Sequence, residues 1–130
     1  MSSKPLIYLA SPYSHPDPSV RQERYEAACK AAASLMRQGH HIYSPIAATH
    51  PLAAAHDLPG DWQYWQCFDC NMINRCDEVF VLMLDGWQDS VGVQAEIQYA
   101  TTCSKPVEYI PPHPDQDKVQ LYKWEGSTNE

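Results

Sequence analysis

Two short apolar runs and two shorter candidate strands punctuate this chain, and the stretches between them carry apolar residues largely at helical rather than strand spacing. Leu6 to Ala10 reads as a first strand, apolar on both faces and carrying one hydroxyl at Tyr8. His41 to Ser44 reads as a second, ended by Pro45, Val79 to Leu84 as a third, and Val107 to Ile110 as a short last strand, parallel to the rest. Between the first two, Ser19 is placed to cap a helix with Gln22 completing a capping box, and Gly39 stops it after about Gln38. Tyr25, Ala28, Ala32, Leu35 and Met36 form its expected buried stripe. A second helix is expected from Asp61 to about Cys76, burying Trp62, Trp65, Phe68, Met72, Ile73 and Cys76. The stretch from Pro45 to Asp61 mixes alanines, prolines and two histidines and reads as a loop with a short helical turn. A third helix follows the third strand, capped by Ser90 or Asp89, with Val93, Ile97 and Ala100 facing inward.

This order, β-α-β-α-β-α-β, predicts a three-layer α/β/α fold of Rossmann or flavodoxin type, with a parallel sheet of four or five strands. The 130 residues suit one domain. Residues 111–130 read as a polar, proline-rich C-terminal extension, with 115–124 packed loosely on the domain and a disordered end.

Two positions break the apolar pattern where it should be strongest. Glu96 lies between Val93 and Ile97 on the inward side of the third helix, and Asp69 is sandwiched among the apolar positions of the second. The chain around Glu96 is also unusual: Asp85, Gly86, Asp89, Ser90 and Gly92 crowd one strand-to-helix junction. In doubly wound sheets, ligands collect at the carboxyl ends of strands beside helix N-termini. The first such junction, "SPYSHPDPS", is nine residues long, too rich in proline for regular structure, and offers Tyr13 and His15 as contacts. Arg21 and Arg24 follow in the first helical turns, where each makes either a surface salt bridge or an anion contact.

Composition narrows the function classes. A formal net charge of −7 argues against a nucleic-acid polymer as partner, but leaves room for one small phosphorylated ligand at a helix N-terminus. No apolar run approaches the roughly 18 residues of a membrane span, and the first residues are no signal peptide. Five cysteines cannot all pair, so reduced thiols and a cytoplasmic location are expected. Cys67 and Cys70 form a C-x-x-C inside a helix without a second pair, and His50 and His56 lack helical metal spacing; no metal or cofactor is expected.

Three stretches together resemble the nucleoside 2-deoxyribosyltransferase-like superfamily, with the match leaning to bacterial and phage relatives and a kinship to the deoxynucleoside 5'-monophosphate N-glycosidases. They are "IYLASPYS", "DCNMINRCDEVFVL" and "DSVGVQAEIQYA", in that order. The resemblance implies cleavage or transfer at the N-glycosidic bond of a nucleoside or its 5'-monophosphate. By it, Glu96 is the nucleophile, Tyr8 orients it, and Asp69 contacts the sugar or assists the leaving base. Ser90 and the Gly92 backbone would hold the 5' end, Tyr13 or Trp87 would cover the base, and Ser11, Arg24, Asp85, Gly86 and Asp89 complete the candidate contacts. Ser90 stands where the transferases tend to carry Asp and the monophosphate hydrolases Ser, and Gln94 replaces a small residue. A non-catalytic nucleotide-binding or sensing module on the same fold is the alternative, and a metal or redox protein using Cys67, Cys70 and the histidines a third. The aromatic residues crowding the second helix, with the resemblance, predict a homo-oligomer, dimer or tetramer, with an aromatic or Tyr122 reaching the partner's site.

Overall fold

Parity along the first strand decides what faces what. In the computed structural model, which describes residues 4–112, strand β1 (Leu6–Ala10) runs through the middle of the sheet. Ile7 and Leu9 point to one face and Tyr8 and Ala10 to the other, because side chains alternate along a strand. Helix α1 (Pro18–Arg37) covers the first face, where Ala31, Ala32 and Leu35 meet Ile7, Leu9, Phe80 and Leu82. Helices α3 (Trp62–Arg75) and α4 (Val91–Thr102) cover the second, where Ile73, Val93 and Ala100 meet Tyr8, Val79 and Val81.

The remaining strands are β2 (His41–Tyr43), β3 (Glu78–Leu82) and β4 (Val107–Ile110), and all pairings are parallel. Their spatial order is β2-β1-β3-β4, so the chain moves one way from β1 to β2 and then crosses back to β3. The direction reverses between β1 and β3, and the crevice outside their carboxyl ends is where ligands bind in such sheets. The fold is thus the expected three-layer α/β/α, with four strands. Among the described residues, no helix is long and apolar enough to cross a membrane. Of the proline-rich extension read from the sequence, residues 113–130, Tyr122 included, lie outside the described residues.

Several local expectations are corrected. Helix α1 begins at Pro18, with Asp17 rather than Ser19 as its cap: the Asp17 carboxylate accepts the Ser19 amide at 2.9 Å. Proline suits the first helical position, since its fixed φ is already helical and the N–H it lacks would have had no partner. Gln22 is thereby released from a capping box. Met36 is exposed and Tyr25 half-buried, while Ala31 and Ser34 take inward places. On α3 the buried residues are Asp69 and Ile73, and Phe68 points outward. Strand β3 ends at Leu82, although Met83 and Leu84 stay buried beyond it.

The largest departure is α2 (Pro45–His56), a full helix where a loop with a short helical turn is expected. Ser44 caps it, its Oγ accepting the Ala47 amide at 3.1 Å, and Pro45 occupies the first position. Pro51 lies inside and denies one N–H to the ladder. The five alanines of α2 and its packing against α1 and β1 outweigh that cost. Asp57, in the left-handed region at φ 62°, ends the helix.

Because the Ser44 hydroxyl satisfies an amide that the first turn of α2 leaves without a helical partner, Ser44→Ala is expected to destabilise the protein by about 1 kcal/mol. Chemical denaturation followed by circular dichroism measures it; an unchanged midpoint means that α2 does not depend on this cap.

Candidate active site

The acid at the centre of the site is placed by a helix cap. Ser90 starts α4 by accepting the Val93 amide at 3.2 Å, and Glu96 then falls on the same face as Val93 and Ala100, turned to the sheet. Asp69 reaches the same point from α3, which packs beside α4. From the sheet below, the fully buried Tyr8 donates its hydroxyl to Glu96 Oε2 at 2.6 Å. Residues 88 positions apart thus share one short hydrogen bond beneath the crevice.

Glu96 is 5% exposed and Asp69 9%. Burial pushes the Glu96 carboxyl up to about 8; the Tyr8 hydroxyl favours its charged form and the Asp69 charge opposes it. Burial raises Asp69 to about 6, held down in part by hydrogen bonds with Glu96 and Tyr8. Tyr8 lies well above its ordinary value, through burial first and the two acids next, so it stays a neutral donor. Among the described residues no cation offsets this pair. Two carboxyls in contact in a dry site ionise one after the other, so near neutrality they share one proton.

Above the pair opens a cavity of about 580 Å³. Of the residues singled out in the sequence, Asp69, Glu96, Ser11, Tyr13, Arg24, Gly86, Asp89, Ser90 and Gly92 line it. Tyr8 sits behind Glu96 and does not touch the cavity. Asp85 contributes only a backbone carbonyl, which accepts Arg24 Nη2 at 3.3 Å. Trp87 turns away to pack on Tyr109, ring centroids 5.7 Å apart, so its expected place over a base is corrected. Ser11 is notable for the opposite reason: its hydroxyl is buried at the cavity wall with no hydrogen-bond partner.

The arginines are also reassigned. Arg24 spans the crevice, donating to the Ser14 carbonyl at 3.0 Å and to that of Asp85, and so ties the loops after β1 and β3 together. Arg21 donates to the His15 carbonyl. Arg24 thus bonds two loop carbonyls and Arg21 one, and Arg21 also stands beside the Tyr13 hydroxyl. His15 itself faces the neighbouring hollow and not this cavity.

Sequence reasoning missed the opposite wall. Trp62 and Trp65 line the cavity, with Ile46, Thr49 and His50 from α2. Trp65 is fixed by its indole N–H, which donates to the Pro59 carbonyl at 2.7 Å, and the Trp62 ring lies over Gly92. The spacing Trp62, Trp65, Asp69, Ile73 was a readable signal: one face of α3 passes from the cavity into the core. These two indoles are half-buried within the chain, and Tyr64 and Phe68 are exposed. The cysteines are free, and among the described residues no three His, Cys, Asp or Glu side chains converge on a metal position.

No curated protein matches the chain. Among solved structures it is similar to a 2-deoxyribosyltransferase from the psychrotolerant bacterium Bacillus psychrosaccharolyticus, described as a biocatalyst for the synthesis of antiviral and antitumoral nucleosides. The two are 26% identical with a TM-score of 0.54, over 85% of this chain and 74% of the other. Residues 5–110 match a family model described as a domain of unknown function, DUF1937, and the chain belongs to that family.

Proposed function

We propose that this protein breaks the N-glycosidic bond of a nucleoside or nucleoside 5'-monophosphate through a covalent bond to Glu96. The observation that carries the reading is the short Tyr8 to Glu96 hydrogen bond, with Asp69 against it, at the floor of a cavity of about 580 Å³. The likeness to a 2-deoxyribosyltransferase supports the same chemistry.

The pair holds one proton, and a productive complex places it on Asp69. Tyr8 occupies Glu96 Oε2, which leaves the other oxygen to attack the anomeric carbon. The bond from that carbon to the base nitrogen breaks with its electrons on the base, and Asp69 delivers the proton to the base. The sugar is then an ester of Glu96, released to water or to a second base. Trp62 and Trp65 offer flat apolar surface for a base. For the 5' end, the Ser11 hydroxyl, the Ser90 N-terminus of α4 and the Arg24 guanidinium converge on one cavity, a setting that suits a phosphate. Asp89, at the same rim, opposes it.

Glu96→Gln is expected to stop base release, by ~10³-fold or more, since an amide is no nucleophile. Its effect on stability depends on pH. The folded-state value of Glu96 lies above its unfolded value, so the stabilisation from its proton is whole below about 4.3 and lost as pH rises through about 8. A glutamine keeps both hydrogen bonds and never ionises. At pH 9 the variant is therefore expected to be more stable than the parent by roughly 5 kcal/mol, and near equal to it at pH 4. Denaturant midpoints at the two pH values decide it; a variant weaker at both makes Glu96 a structural residue.

The pH profile follows from the shared proton. The active form is singly protonated, so kcat/KM for base release should be bell-shaped, falling below about 6 and above about 8. A profile flat from pH 5 to pH 9, in ~unit steps, removes the pair from the chemistry.

If Ser90 and the α4 N-terminus hold a phosphate, monophosphates bind more tightly than nucleosides and Ser90→Asp, which keeps the helix cap, reverses the order. Calorimetric titration of both ligands against both proteins tests this. Equal affinities in the parent would leave the 5' end unassigned.

A further inference from the structure

A second hollow of about 830 Å³ adjoins the first, and the two share part of their lining along the loop after β1, α2 and the loop before α3. Tyr13 and His50 line both. The Tyr13 ring is held on two sides. Its hydroxyl meets His50 Nδ1 at 2.6 Å, and its ring edge lies so close to Gly60 that an added Cβ there would stand 3.3 Å from Cε2. Ser14 Oγ donates to the Gly60 carbonyl at 2.6 Å, closing the loop after β1 onto the loop before α3.

Behind Tyr13 runs a chain of hydrogen bonds whose direction is fixed from its far end. The Gln22 amide nitrogen donates to a Glu26 carboxylate oxygen at 3.0 Å, so the Gln22 carbonyl faces His50 at 2.9 Å. A carbonyl only accepts, so His50 Nε2 carries the hydrogen, and Nδ1 is left to accept from Tyr13. His50 is 7% exposed and stacks on Tyr25, ring centroids 4.4 Å apart, which fixes the imidazole plane as well. None of Gln22, Glu26, Tyr25 or His50 has a part in the proposed bond cleavage. Together they have one visible consequence: the Tyr13 side chain cannot turn without breaking a short, oriented hydrogen bond.

We infer that Tyr13, positioned by His50 and Gln22, is the wall that sets the reach of the substrate pocket. The adjoining hollow is the room an elongated nucleotide would enter if the wall were absent. This rests on the reading of the first cavity as a nucleoside site. The hollow beyond is of mixed character, with Arg21, Gln22 and Asp57 among its lining beside prolines and alanines, and offers hydrogen-bonding partners to an extension. With Tyr13 in place, the protein selects compact nucleosides. His50 is a positioning residue in this scheme, acting on the ligand's size through Tyr13.

The test is a ratio of affinities read from quenching of the cavity tryptophans, on the full chain. Three ligands are titrated: a 2'-deoxynucleoside 5'-monophosphate, a dinucleoside monophosphate, and the first ligand benzylated on its base. Extending both ends makes the result independent of which end faces the wall. In Tyr13→Ala, the Kd of one extended ligand relative to the compact one is expected to fall ~tenfold or more. His50→Phe keeps the bulk and the stack on Tyr25 but not the hydrogen bond, and should give a smaller shift in the same direction, by ~threefold. Thermal melts check that both variants fold; if Tyr13→Ala does not, His50→Phe decides alone. Unchanged ratios, with the compact ligand still bound, overturn the wall and leave the functional reading standing. Failure of the parent to bind any of the three overturns that reading, and the size-limiting role with it.

Discussion

Glu96 sits where a carboxylate is costly, and much of the architecture answers that cost. A charge this deep has no cation to meet among the described residues, and its hydration shell is gone. What remains is to neutralise it or to surround it with donors. Both happen here: Tyr8 supplies a hydroxyl from below, and Asp69 shares a proton from the side. Each answer demands a separate element. Tyr8 must lie on the α3/α4 face of β1, which fixes the parity of that strand, since one residue of slippage would send the hydroxyl to the α1 side. Asp69 must face α4, which fixes the rotation of α3.

The same arrangement explains why the crevice is open above the pair rather than filled. The sheet order changes direction between β1 and β3, so their loops diverge and no crossover helix covers the gap. Arg24 bridges it instead, holding the carbonyls of Ser14 and Asp85, with Gly86 at φ 88° letting the second loop turn. A side chain at Gly86 would meet the Arg24 guanidinium at 3.0 Å, and its positive φ disfavours any other residue. The clamp keeps the rim in place while leaving the floor accessible.

How much of this was legible depends on how local each cause is. The central strands were readable because a parallel sheet buried on both faces needs continuous apolar runs, and β1 and most of β3 have them. Asp69 and Glu96 were readable because each interrupts an apolar stripe, and a buried acid needs a reason. Helix α2 was not. Its prolines and histidines resemble loop composition, and only packing on α1 and β1 makes a helix the better choice. Trp87 was misplaced for a related cause: its turn points it to Tyr109, a strand away, and nothing nearby in sequence announces that contact.

The misread helix matters beyond bookkeeping of elements, because α2 supplies the side of the cavity that β1, α3 and α4 do not. Pro45, Ile46, Thr49 and His50 all come from it. His50 was read from its distance to His56 as one of two histidines, yet its partners, Tyr13 and Gln22, lie 37 and 28 positions away. Spacing along the chain tests only for partners within a helix; a histidine satisfied by two other elements is invisible to it. The acids at the floor are set by the sheet and two helices that apolar periodicity reveals. The walls come from a loop and a helix that periodicity does not. In this chain, therefore, the two acids of the floor and the Tyr13 loop could be picked out from the sequence, while the His50 and Gln22 contacts behind Tyr13 emerge only from the folded arrangement.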